Sequence, residues 1–279
     1  MTVHVVIPVF NRLAMTQRLV ACLRQQQAAE PLRMLVVDDG SSDGTDNWLR
    51  QQADITVLRG DGNLFWGGAV DLAVRHLTLE AAAHDWLLLM NNDTTVDTGF
   101  VQELMDTARA HQPAAVGSVI RSETAPHALL SLGAHIDPWR LLTRDLLDDE
   151  AQSSPRSLFD VDVLSGRGVL FPLASVVAAG GMRPRTLPHY LADYELSLRV
   201  RRAGWRLLVA TTAAVYSADE YGSTRRGVTW REKFLSVRSP AYLPAVVQFW
   251  WQASTWLQRV SLPLRMALFM VFPQLRKNA

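Results

Sequence analysis

From its first residues the chain alternates short apolar, β-branched runs with stretches whose apolar positions recur at helical spacing. His4–Phe10 reads as a strand, and Asn11 as the cap of a helix carried by Met15, Leu19, Cys22 and Leu23. Met34–Val37 predicts a second strand, running into the turn-rich cluster Asp38-Asp39-Gly40-Ser41. A helix over Thr45–Gln52, a strand over Ile55–Leu58 and a helix over Gly68–Ala83 follow. Trp86–Met90 is a buried strand that stops at Asn91-Asn92-Asp93. Strands separated by helices predict parallel βαβ units, hence an open α/β sheet. Ligands of such sheets bind beyond the carboxyl ends of the strands, where both acidic clusters fall.

The middle is less regular. Pro113–Ile120 and Asp160–Pro172 read as strands, with a looser segment over Ser122–Ser157 between them. Tyr190–Ala203 predicts a helix and Trp205–Tyr216 a strand. The composition shifts only near Arg231, where an aromatic tail begins, so residues 1–239 form one domain and 240–279 an amphipathic helical extension.

With 48% hydrophobic residues in a chain of 279, a sizeable core is available. The net charge of +1 excludes a polycation that wraps nucleic acid. A single cysteine, Cys22, excludes an intramolecular disulfide and a Cys-based zinc site, and fits a reducing, cytoplasmic setting. The even charge hides a polarity. After Glu232 there is no acid, while Lys233, Arg238, Arg259, Arg265, Arg276 and Lys277 supply six cations.

A sheet that ends in carboxylates suits either a hard divalent ion, which takes oxygen ligands, or hydrogen bonds to a sugar or base. Asp93 is positioned for the first, with Asn92 beside it; Asx turns and helix caps are the bland alternative, for these residues as for Asp38 and Asp39.

Taken in order, Val6-Ile-Pro-Val-Phe-Asn11, Val36-Val-Asp-Asp-Gly-Ser41, Gly62-Asn63 with Gly67-Gly68, and Asn91-Asn-Asp93 resemble the family 2 glycosyltransferases of the GT-A fold. Ser165-Gly-Arg-Gly168, Gly180-Gly181, Ala192-Asp-Tyr-Glu-Leu-Ser-Leu-Arg199 and Gly204-Trp205 continue the pattern, over about residues 3–240. The nearest flavour is the bacterial surface-polysaccharide branch, including rhamnosyl- and galactofuranosyl-transferases. The resemblance implies a mixed, Rossmann-like open sheet flanked by helices, with the aromatic tail behind it. It implies that Pro8 and Val9 line the nucleotide base, that Asp39 accepts a hydrogen bond from the base imide, and that Asn63, Gly67 and Gly68 border the nucleotide. Asp93 would hold Mn²⁺ or Mg²⁺ against the diphosphate, Asn92 being a neutral variant of the first acid of the motif, and Asp193 would be the general base. Arg199 would orient carboxylates or contact phosphate. Trp66 and His189 are candidates for the donor or acceptor wall, and Arg225 and Arg226 for gripping a diphosphate.

Three departures stand out. Ala192 replaces the Glu that usually precedes the base, and Asp71 stands where the family often has Asn. Tyr216-Ser217 occupies the place of a His that sometimes binds metal, with Asp219 or Glu220 as substitutes. The activity implied is inverting transfer from a dTDP- or UDP-linked sugar to a glycan or lipid-linked acceptor in bacterial surface polysaccharide synthesis. The alternatives are a non-catalytic sugar-nucleotide binding protein and a nucleotidyltransferase, the latter disfavoured because no Gly-rich cationic loop follows the first strand. The tail, interrupted by Pro244, Pro263 and Pro273, is too broken to span a bilayer. Its aromatic and cationic mix predicts a peripheral contact with the inner face of the cytoplasmic membrane, the alternative being a homodimer interface or packing on the body.

Overall fold

A computed structural model describes residues 1–148, 157–218 and 229–276. The strands are β1 (Val3–Val9), β2 (Leu32–Asp38), β3 (Ile55–Arg59), β4 (Trp86–Leu89), β5 (Thr94–Val96), β6 (Ala114–Ser122), β7 (Leu129–Ser131), β8 (Ala134–Asp137), β9 (Leu142–Asp145), β10 (Leu158–Asp160), β11 (Val169–Pro172) and β12 (Arg206–Ser217). The helices are α1 (Leu13–Arg24), α2 (Thr45–Leu49), α3 (Phe65–Glu80), α4 (Phe100–Ala110), α5 (Leu173–Ala178), α6 (Ala192–Arg202), α7 (Trp230–Leu235), α8 (Leu243–Ala253) and α9 (Trp256–Val271).

The main sheet runs β10-β12-β6-β11-β4-β1-β2-β3. β3, β2, β1 and β4 are parallel, as the alternation predicts. β11 enters antiparallel between β4 and β6, which makes the sheet mixed. This reversal has a functional consequence. The amino end of β11 lies at the same edge as the carboxyl ends of β1, β2, β4, β6 and β12, so the loop preceding β11 joins those strand ends.

The structure corrects the sequence reading in several places. Asp160–Pro172 is not one strand. β10 is the edge strand beside β12, whereas β11 lies three places farther in, beyond β12 and β6, and starts at the opposite end of the sheet from where β10 stops. Residues 161–168 therefore run across a face of the sheet, where Val161, Val163 and Leu164 are buried. The segment read as loose holds β7 and the β8–β9 hairpin. Asn11 is not the cap of α1. Arg12 occupies that place in a left-handed conformation, and the Leu13 N–H donates instead to Asp43 Oδ2 at 2.9 Å.

Both sheet faces are covered. Leu88, Leu104 and Met105 centre one apolar cluster, and Leu87, Phe171 and Leu196 the other. A third cluster joins Leu198 of α6 and Leu141 near the hairpin to Phe249, Trp250, Leu262, Met266 and Phe269 of the tail. One face of the tail therefore shares a core with the body, and the expected boundary at 239/240 falls between elements that pack together. No helix among the described residues is long and apolar enough to cross a membrane.

Candidate active site

The 165–168 loop ties the two candidate acids together. The Gly166 N–H donates to Asp193 Oδ2 at 2.8 Å, and the Tyr194 N–H donates to Asp193 Oδ1 at 2.9 Å. The next residue along the loop, Arg167, places Nη2 at 3.5 Å from Asp93 Oδ2 and donates from Nη1 to Ser217 Oγ at 2.6 Å. Burial raises the Asp193 carboxyl above the ordinary carboxylate range, against the opposing pull of these two amides and of the Arg167 guanidinium. A carboxylate that holds a proton more readily than usual suits a general base working near neutral pH.

Glycine is needed at two places in this loop. A Cβ at Gly166 would run into the Trp66 ring, and Gly168, at φ +78°, would meet Ser118, Val215 and Phe100. Trp66 in turn donates from Nε1 to Asn91 Oδ1 at 2.8 Å. Trp66 thus buttresses the loop and the Asn91-Asn92-Asp93 turn at once.

The two oxygens of Asp93 have different surroundings. Oδ2 accepts from Arg12 Nη1 at 3.0 Å besides facing Arg167, while Oδ1 is buried with no hydrogen-bond partner. An unpartnered buried carboxylate oxygen carries a desolvation cost that a cation would offset. A hard divalent ion that completes its shell with substrate phosphates and water needs only one or two carboxylates, so Asp93 fits such an ion. Among the described residues no cluster of three or more His, Cys, Asp or Glu is placed to hold a metal. Asp219 and Glu220 lie outside the described residues, as do Arg225 and Arg226. The expected His position is filled otherwise: Tyr216 donates its hydroxyl to Asp97 at 2.8 Å, and Ser217 meets Arg167.

Several expected contacts are redirected. Asn92 is buried and donates from Nδ2 to Thr16 Oγ1 at 3.1 Å, which turns it into the protein rather than toward a ligand. Val9 packs in the core, because alternate strand residues face opposite sides of the sheet, and Pro8 is half-buried beside it. Asp39 accepts from the Gly62 N–H at 2.9 Å and the Phe65 N–H at 3.0 Å, so it shapes the loop before α3. Asn63 is exposed on that loop. Gly67 makes room for neighbouring backbone. Its N–H donates to Pro188 O at 2.7 Å, and a Cβ there would strike Leu187 O. Gly68 is buried against Leu64.

Arg199 orients a carboxylate, the first of its two expected roles. It forms a buried two-pronged pair with Glu195, Nε–Oε1 2.9 Å and Nη2–Oε2 2.7 Å, and donates to Ala179 O. Its task is to anchor α6, and with it Asp193. Asp71 pairs with Arg75 at 3.0 Å on α3, and burial raises its carboxyl.

His189 packs edge-on against Tyr190 at 4.6 Å, and its Nδ1 is buried without a partner. Burial, then the charges of Arg238 and Arg12, lower its pKa, so it is neutral at pH 7. Asn11, Arg12, Phe65 and Leu191 all adopt positive φ without being glycine. Such strain persists where surrounding structure imposes it: Arg12 contacts Asp93 and Leu191 caps the helix that carries Asp193, while Leu141 is a fifth case, in the β8–β9 turn. Arg12 and Arg167 are the functional candidates that sequence reasoning left without a role, although both lie within or beside the quoted motifs.

Comparison with known proteins agrees with this fold. An uncharacterised protein of Mycobacterium bovis and one of Mycobacterium tuberculosis H37Rv are each 27% identical over 214 residues, covering 76% of this chain and 72% of theirs. Among solved structures, GalNAc-T7 with UDP, GalNAc and Mn²⁺ aligns with a TM-score of 0.62 at 14% identity, over 80% of this chain and 46% of that one. Residues 1–349 of S. aureus TarS in complex with UDP-GlcNAc align at 0.59 and 16%, over 85% and 64%. The chain thus spans about half of the first structure and under two thirds of the second, and these likenesses establish the mixed α/β fold. The family model described as glycosyl transferase family 2 matches residues 4–148, more than half of the sequence, and the chain belongs to that family.

Proposed function

We propose that this protein is an inverting glycosyltransferase that moves a sugar from a UDP- or dTDP-linked donor to a hydroxyl of a glycan or lipid-linked acceptor, in bacterial surface polysaccharide assembly. The observation that carries the reading is the 165–168 loop, whose Gly166 amide holds Asp193 and whose Arg167 guanidinium faces Asp93. Two acids with separate tasks sit at one sheet edge.

Asp193, with its raised proton affinity, takes the proton of the attacking acceptor hydroxyl. Its position is set by the Gly166 and Tyr194 amides and by the Glu195–Arg199 anchor one turn along α6. Arg12 and Arg167 orient Asp93 and bring fixed positive charge to the place where a diphosphate leaving group gathers negative charge. A divalent ion held by Asp93 would supply Lewis-acid stabilisation of that same charge. His189, neutral and packed on Tyr190, belongs to the acceptor wall in this reading. The Asn63 loop and Phe10, exposed at the end of β1, flank the space left for the nucleotide.

The test is a panel of UDP-, dTDP- and GDP-sugars, first for thermal stabilisation of the protein and then for transfer, with the anomeric configuration of the product read by NMR. A product that retains the donor's configuration, or stabilisation without any transfer across acceptors, would overturn the reading.

A further inference from the structure

We infer that the outer face of α9 is a docking surface for an anionic lipid bilayer. The helix is apolar on two opposite sides. Leu262, Met266 and Phe269 face inward and pack against Phe249 and Trp250. Leu257, Val260, Leu264, Leu268 and Val271 recur at three- and four-residue spacing on the other side. Val260 is 77% exposed and Leu264 74%, so a full stripe of branched aliphatic side chains faces outward.

The border of this stripe identifies its occupant. Arg259 lies over the Trp251 ring at 5.2 Å and donates to the Trp251 carbonyl at 2.8 Å. Arg265 lies over the Trp139 ring at 5.2 Å and donates to the Trp139 carbonyl at 2.9 Å, which ties the β8–β9 turn to the same helix. Trp139, Trp251 and Trp256 are themselves exposed. Exposed tryptophans beside arginines at an apolar stripe match the chemistry of the headgroup boundary, where the ring is half-solvated and cationic charge faces phosphate. Arg265, which also donates to Ser261 Oγ, Pro138 O and Gln258 O, contributes there through its charge. The tail supplies no acid to this face, and Asp137 in the hairpin is held by Arg140 at 3.6 Å. A second copy docking on the same patch across a twofold axis would set these cations against their own counterparts. An anionic lipid surface neutralises them.

The inference deepens the lipid-linked acceptor of the proposed function, but its test uses neither donor nor acceptor. Flotation of the full-length protein with vesicles of phosphatidylcholine, with and without phosphatidylglycerol, is compared with that of a Val260→Glu/Leu264→Glu variant. Light scattering gives the mass of both in solution. Both sites are open to solvent, so the variant should melt and bind nucleoside diphosphate as the parent does. The parent should float with the anionic vesicles, less with neutral ones, and less in about 1 M salt, where screening is nearly complete. The variant should partition at least ~10-fold more weakly. Equal flotation of the two proteins, or no flotation of the parent, would overturn the inference. So would a dimeric parent whose variant is monomeric, which would assign the face to self-association. Failure here with intact sugar transfer would leave the transferase reading standing.

Discussion

At the level of single residues, Asp193 combines an unusual proton affinity with a fixed position. Asp193→Asn cannot take a proton, so kcat should fall by about 10²–10⁴-fold while donor affinity, measured by calorimetry, stays near that of the parent. Because burial raises the folded carboxyl, the working, ionised form is lost at a higher pH than an ordinary carboxylate near 3.9 would show. The acid limb of kcat/KM in the parent should therefore lie above that value and disappear from the residual activity of the variant. Asp93 behaves differently. With Oδ2 shared by two arginines and Oδ1 unpartnered, Asp93→Ala removes a carboxylate that faces both Arg12 and Arg167. Turnover should be abolished, and stabilisation of the protein by Mn²⁺ plus nucleoside diphosphate, read by thermal melting, should be lost with the fold intact. Near-parental turnover in that variant, or indifference of the parent to a chelator, would exclude the metal role.

At the level of elements, α6 carries its catalytic candidate on a buried electrostatic anchor. Glu195 is fully buried and Arg199 nearly so, with Arg183 at 3.4 Å from the same carboxylate. Removing one partner leaves an uncompensated buried charge, so Glu195→Ala should cost about 3–5 kcal/mol in urea denaturation. The Glu195→Ala/Arg199→Met double variant should be less destabilised than Glu195→Ala, because neither charge is stranded. If the double variant were the weaker protein, the pair would be a net source of stability rather than a device for holding α6.

Across the whole molecule, the tail helices have one face inside a core and one face exposed. Their inner face completes a core in which Phe249 is fully buried and Trp250, Leu262 and Met266 nearly so. Each such side chain stabilises by about 1.5–3 kcal/mol relative to exposure, so truncation after Ser239 should lower the melting temperature markedly and expose apolar surface to a dye such as ANS. Unchanged melting of the truncated chain would mean that residues 1–239 are an independent domain. Under the membrane-docking inference, the outer face of the same helices is the one that meets a lipid surface.

Local sequence sufficed for the βαβ alternation, the strands of the parallel half, the clustering of acids at strand ends and the family itself, because each depends on nearest-neighbour periodicity and short motifs. It also marked the tail as a cationic, aromatic segment. Side-chain direction was out of its reach. That Asn92 faces Thr16, that Asp39 is occupied by two loop amides and that Arg199 turns to Glu195 depend on which elements pack nearby. The same holds for Arg12 and Arg167. Both are visible as residues within or beside motifs, but they meet Asp93 only because β11 runs antiparallel among parallel strands and a strained turn after β1 bends toward the same edge. Contacts between residues 74 or 81 positions apart are made by topology, and no local pattern encodes them.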